Sequence, residues 1–188
     1  SVFAQATKMS FHGRAMTGKT ERRKELANIS MMHPDVYVAQ TTAAHPNHFY
    51  KAVLEANEYP GPAIVNVYTT CQPEHGVGDN MAYQQAKMAV DSRAFPLFIH
   101  DPRLGDTMRD RLSLRANPAP KKDWYVIPKT GERIDFVAWA KTEGRFKRHF
   151  DREGEPSEHL LSVQSERLSN WHFLQDLAGV DNERSEER

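Results

Sequence analysis

The chain has 188 residues, enough for one domain with an appendage, and its 39% apolar content suffices for a packed core, so a wholly disordered chain is excluded. Lys plus Arg and Asp plus Glu number 25 each, which removes any global electrostatic reason to bind nucleic acid or an anionic membrane. One cysteine cannot close an internal disulfide, and no stretch reaches the roughly 20 apolar residues of a membrane span, so a soluble protein of the reducing cytoplasm is expected. The N-terminal residues lack both a starting Met and the apolar core of a signal peptide, and read as a processed chain or a piece of a longer one.

In chain order, residues 13–20, "GRAMTGKT", fit the phosphate-loop pattern with Lys19 and Thr20 as its end. A working phosphate loop needs a buried strand feeding it, and "AQATKMSFH" is too polar for one. A basic surface turn is the competing reading. Residues 20–32 suggest a short helix with Leu26 and Ile29 inward, stopped at His33-Pro34. Strand "DVYVAQ" follows, then a helix opened by Pro46, striped with Phe49, Val53 and Ala56, and ended by "PGP". "AIVNVYT" is apolar on both faces, as in a central parallel strand. Asn80 can cap a helix striped by Tyr83, Ala86 and Val90, and "PLFIH" is the next strand. This order predicts an α/β fold with right-handed crossovers in a parallel sheet.

From Arg103 the texture becomes polar, Pro-containing and aperiodic, which reads as a connecting arm over a surface. A strand at "WYVIP" and a turn at "KTGER" come next. Asp135 is placed to cap a helix with Phe136, Trp139, Ala140, Phe146 and Phe150 inward, weakened by Gly144. Ser157 opens a last helix carrying Leu161, Leu168, Trp171, Leu174 and Leu177, with Gly179 as its C-terminal cap. The tail at 181–188 has nothing to bury and is expected to be disordered. Trp124, Trp139 and Trp171 read as core or as a surface buried against other domains.

Cys71 lies just beyond the carboxyl end of a predicted parallel strand, where ligands of α/β sheets gather. It reads either as a small inert core residue or as a chemical group. A nucleophile needs an oriented base, and His75 has no evident orienting partner nearby in sequence. An iron–sulfur cluster usually takes four thiolates, of which this chain can offer one. His45 and His48 flank a helix start and are candidates for contact with a substrate, cofactor or metal, against a plain helix-cap role.

Residues 36–76, "VYVAQTTAAHPNHFYKAVLEANEYPGPAIVNVYTTCQPEHG", with "AVDSRAFPLFIHDPRLG" after them, resemble the C-terminal part of the thiamine-diphosphate domain of pyruvate:ferredoxin (flavodoxin) oxidoreductases and their 2-oxoacid relatives. The resemblance implies that residues 1–104 complete an α/β thiamine-diphosphate fold and that 105–180 form a mainly helical C-terminal extension. It implies that Cys71 is the fourth ligand of the [4Fe–4S] cluster nearest the thiamine, in a loop opened by Gly76 and Gly78. Gln5 matches the end of the family's Gly-Gly-Gln stretch near thiamine diphosphate, where Phe3 and Ala4 replace the two glycines. The Gly-Asp-Gly segment that holds the diphosphate and Mg²⁺ has no counterpart in the chain.

The implied activity is oxidative decarboxylation of a 2-oxoacid such as pyruvate to an acyl-CoA, with electrons passed to ferredoxin or flavodoxin. The implied partners are coenzyme A and the remaining domains or subunits of a homo-oligomeric enzyme, with the piece inactive alone. A small phosphate-loop NTP-binding protein and a non-catalytic interaction domain are the alternatives.

Overall fold

Strand β1 (Tyr37–Thr42) is buried along its whole length and lies between two neighbours. The computed structural model describes residues 22–182. Gln5 and the 13–20 motif with Lys19 and Thr20 lie outside the described residues. β2 (Ala63–Tyr68) pairs with β1 in parallel, Tyr37 opposite Ala63 through Thr42 opposite Tyr68. On the other side β3 (Phe98–His100) and then β4 (Leu112–Ser113) add in antiparallel fashion, giving the order β2-β1-β3-β4. The fold is thus α/β as expected, but its sheet is mixed.

The antiparallel turn of β3 corrects the expectation of an all-parallel sheet, and its cause lies in the preceding helix. α2 (Pro46–Glu58) crosses from β1 to β2 as a parallel connection must, packing Ala52 onto Tyr37, Ala39 and Ile99. Helix α4 (Ala82–Asp91), reached through the four-residue α3 (Gln72–His75), packs its Ala89 with Phe136, Trp139 and Leu160. It therefore does not carry the chain back across the sheet. The chain turns at Arg93, whose φ is 57°, and enters the sheet beside the C-terminal half of β1, Phe98 opposite Gln40. β2, expected to be central, is an edge among the described strands and is only half-buried.

Three apolar clusters hold these elements. Helix α1 (Leu26–Met31) puts Ala27 and Met31 against Val38, Phe98, Leu112, Leu114, Trp171 and Leu174. The expected inward pair, Leu26 and Ile29, is instead 58% and 61% exposed. In α2 the sheet-facing residue is Ala52, with Val53 exposed, and in α4 Tyr83 is exposed while Ala86 and Val90 are buried. Asn80 makes no cap to α4, whose N-cap is Met81.

The arm after Arg103 is more ordered than its sequence suggested. Thr107 and Asp110 form a reciprocal capping box on α5 (Met108–Arg111), which leads directly into β4. β5 (Tyr125–Val126) and β6 (Arg133–Ile134) pair across a turn. Helix α6 (Phe136–Lys141) is capped by Asp135, whose carboxylate accepts from Ala138 N–H at 2.9 Å, and it stops short of Gly144. The last helix, α7 (Glu158–Ala178), is capped by Ser157 and closed by left-handed Gly179, as expected. Its 21 residues span about 30 Å. Leu160 and Val163 lie in the α4–α6 cluster, and Trp171 and Leu174 lie on the sheet. Leu161, expected inside, is exposed. Of the tail expected to be disordered, Asn182 is described and donates to Gln175 Oε1 at 2.6 Å.

Arg93 joins the two halves of this arrangement. Its fully buried guanidinium donates to the carbonyls of Pro118, Ala119, Lys122 and Asp123 at 2.9 to 3.3 Å and lies 4.3 Å from the Trp171 ring centroid. Trp171 Nε1 donates to Lys122 O at 2.9 Å, and Gln175 Nε2 to Pro120 O at 2.8 Å. The 118–123 segment has no regular structure, and these donors supply hydrogen bonds to its carbonyls instead. Arg93→Met keeps an unbranched apolar side chain but removes the guanidinium from Trp171 and leaves the carbonyls of Pro118 and Asp123 without this donor. It is expected to cost about 3 kcal/mol, seen as a fall of roughly 6–12 °C in the thermal midpoint, with Arg93→Lys recovering less than half because a point charge cannot reproduce the fork. An unchanged midpoint in Arg93→Met would contradict this role.

Candidate functional site

Cys71 follows the carboxyl end of β2 and occupies the N-cap position of α3 in extended backbone. Its carbonyl accepts from His75 N–H at 2.8 Å, and Gln72 O accepts from Gly76 N–H at 2.9 Å and Val77 N–H at 3.1 Å. Gly76 closes this turn at φ 68°, a region an L side chain rarely occupies. The single thiol is exposed, which removes the inert core reading. Its surroundings differ from those of an ordinary surface cysteine, because the loop that carries it is clamped from below.

The clamp comes from the segment after α6. The side chains of Glu143 and Arg145 form an ion pair in which both are almost fully buried. Arg145 also lies over the rings of Trp139 and Phe146, with centroids at 5.5 and 5.0 Å. Glu143 Oε1 accepts from Tyr68 OH and from Gln85 Nε2, each at 3.3 Å, and stands 3.8 Å from His75 Nδ1. Gln85 Nε2 also donates to Thr142 Oγ1 at 2.6 Å. Between the two charges, Gly144 N–H donates to Gly76 O at 3.2 Å. A Cβ on Gly144 would sit 3.0 Å from that same oxygen, so a larger residue would press the Gly76 backbone away by a few tenths of an ångström.

These groups are electrostatically perturbed. Burial pushes the Glu143 carboxyl up against the pull of Arg145, and burial likewise lowers Arg145 against the pull of Glu143. Burial, with repulsion from Arg145, lowers His75 to about 4, so its ring is neutral at neutral pH. Burial also pushes the Tyr68 hydroxyl up, with the Glu143 charge adding to the effect.

His45 and His48 sit at the carboxyl end of β1. His45 is the N-cap residue of α2 and makes no side-chain cap bond, while His48 Nδ1 is 2.9 Å from Thr41 Oγ1. Burial lowers both, His48 to about 4. No group of three His, Cys, Asp or Glu side chains able to hold a metal ion occurs among the described residues, so neither the histidine pair nor Cys71 forms a complete site within them. No helix of the described residues is long and apolar enough to cross a membrane.

Sequence reading found Cys71 and noticed His75 but missed Glu143, Arg145, Tyr68 and Gln85. The available signal was a charge on each side of Gly144, within a stretch whose apolar residues face inward.

No family model matches the chain. Among curated proteins, it is 35% identical over 168 residues to a pyruvate-flavodoxin oxidoreductase of Trichormus variabilis, covering 87% of this chain and 13% of that protein. It is 30% identical over 164 residues to the probable pyruvate-flavodoxin oxidoreductase of Escherichia coli, covering 86% of this chain and again 13% of the relative. A segment of 86 residues is 28% identical to the pyruvate synthase subunit PorB of Thermotoga maritima, 46% of this chain and 26% of that subunit. The chain thus spans about 13% of the length of these first two relatives. Over this span it belongs to the pyruvate:ferredoxin (flavodoxin) oxidoreductase family.

Proposed function

We propose that this chain is part of a 2-oxoacid:acceptor oxidoreductase in which Cys71 is one ligand of a [4Fe–4S] cluster, the other three thiolates lying outside the chain. The reaction joins a 2-oxoacid such as pyruvate to coenzyme A, releasing CO₂, one proton and two electrons, the electrons leaving to ferredoxin or flavodoxin. When bound, thiamine diphosphate with Mg²⁺ supplies the carbon chemistry and the clusters supply one-electron transfer. The observation that carries the reading is the exposed thiol at the carboxyl end of a parallel strand, within a chain whose relatives are named pyruvate-flavodoxin oxidoreductases.

The chain's own residues fit one corner of a cluster and no more. Cys71 is accessible, and α3 orders the backbone on its C-terminal side. Gln5 is proposed to lie near thiamine diphosphate. The enzyme is expected to be a homo-oligomer of the cytoplasm, and residues 1–104 and 105–180 are proposed to divide between the thiamine-binding domain and its extension.

In the full-length protein, Cys71→Ser is expected to abolish the paramagnetic signal of one reduced cluster and to lower pyruvate-dependent reduction of flavodoxin or ferredoxin by about 100-fold or more, with circular dichroism unchanged. Retention of all iron and of the full rate in that variant would refute the assignment. A second expectation concerns acid. His75 falls from 6.5 when unfolded to about 4 when folded, so the unfolded chain binds the proton first. The stability contributed by neutral His75 is therefore complete above pH 6.5 and is lost as the pH falls toward 4. Thermal midpoints measured across that window should decline, and His75→Gln should shallow the decline while leaving the shares due to His45, His48 and His100, which burial also lowers. An identical slope in that variant would count against the burial assigned to His75.

A further inference from the structure

A buried ion pair is a poor way to fill a core. Desolvating the two charges costs several kcal/mol, and apolar residues of similar volume commonly serve stability as well or better. What the Glu143–Arg145 pair does here is read from what it touches. Glu143 receives Tyr68 OH, three residues before Cys71, and faces the ring of His75, four residues after it. Gly144, between the two charges, donates its N–H to the carbonyl of Gly76. The contacts therefore bracket the thiol on both sides, and all come from one short segment about 70 residues further along the chain. Arg145 is held in turn by Trp139 and Phe146, which belong to the buried α4–α6 cluster.

We infer that Glu143 and Arg145 are positioning residues for Cys71, a buried ionic latch through which the α6 segment sets the place and orientation of the cysteine loop toward the cluster. The inference rests on the reading of Cys71 as a cluster ligand, and neither residue touches the cluster itself. A loop held only by its own turn of helix would leave the thiolate free to sample several directions. The latch removes that freedom before any metal arrives, which lowers the ordering entropy lost when the fourth ligand closes.

The test uses the full-length protein and two ways of loosening the latch. Glu143→Gln with Arg145→Met replaces the pair by neutral groups of similar size, so that no buried charge is stranded. Gly144→Ala keeps both charges but drives a Cβ against Gly76 O. Two measurements are taken on each. In iron-free protein, hydrogen exchange of the peptide carrying Cys71 to Gly76 should be about tenfold or more faster than in the unaltered protein, with a peptide from β1 unchanged. In protein reconstituted with ferrous iron and sulfide, the midpoint potential of the cluster signal that Cys71→Ser abolishes should shift, while the other cluster signals stay in place.

A merely structural pair would leave that potential alone. If Cys71→Ser abolishes a signal but both loosened variants keep its potential and the original exchange rate, the latch is overturned while the cluster ligand stands. If Cys71→Ser abolishes no signal, the ligand reading falls, and the positioning inference falls with it whatever the exchange rates are. If the double variant fails to fold, Gly144→Ala alone decides between the same outcomes.

Discussion

The guanidinium of Arg93 is the point on which the rest of the architecture turns. It sits where α4 ends and the chain enters the sheet, in a backbone conformation with positive φ, and among the described residues its hydrogen bonds go to backbone carbonyls. Its charge is instead spread over the carbonyls of the 118–123 segment and the face of Trp171. Burial lowers Arg93 to about 10, which still leaves it charged at neutral pH. A cation so placed fixes three things together: the turn that reverses β3, the course of an irregular segment, and the docking of α7.

Because α7 is long, that docking has effects at a distance. One end of the helix closes a face of the sheet over Val38 and Phe98, and the other end supports the cluster of Phe136, Trp139 and Phe146. The segment following α6 is thereby held against the loop beyond β2. The thiol thus owes its setting to two kinds of constraint. Parallel pairing of β1 and β2 delivers it to the carboxyl end of the strands, and the C-terminal helices hold the loop in place once it is there.

What could be read in the sequence was whatever depends on neighbours along the chain. Asp135, Ser157 and Gly179 cap their helices through contacts within a few residues, and each was legible. The β1–α2–β2 unit was legible too, since Pro46 and the apolar strands mark it locally. Strand direction was not, because a three-residue strand such as β3 looks the same either way, and only the failure of α4 to cross the sheet decides it. In α1, six residues carry too few apolar positions to fix a face, and small Ala27 beside Met31 outcompeted Leu26 and Ile29. Glu143 and Arg145 escaped notice because charged residues are ordinarily assigned to the solvent side, and the further partners of Glu143 lie on distant elements. Cys71 was found by its position relative to a strand, but the support beneath it was invisible from that position.

The border position of β2 has a practical consequence. Among the described residues it pairs on one side only, and Val67 stands 41% exposed on a strand whose sequence is rich in β-branched residues. Such a seam is adhesive: it offers ladder groups and hydrocarbon together to any extended segment that drifts past, including the same segment in another copy. The chain by itself is therefore prone to clump, and Val67→Lys is the simplest way to blunt that tendency, because this side chain is already partly in solvent.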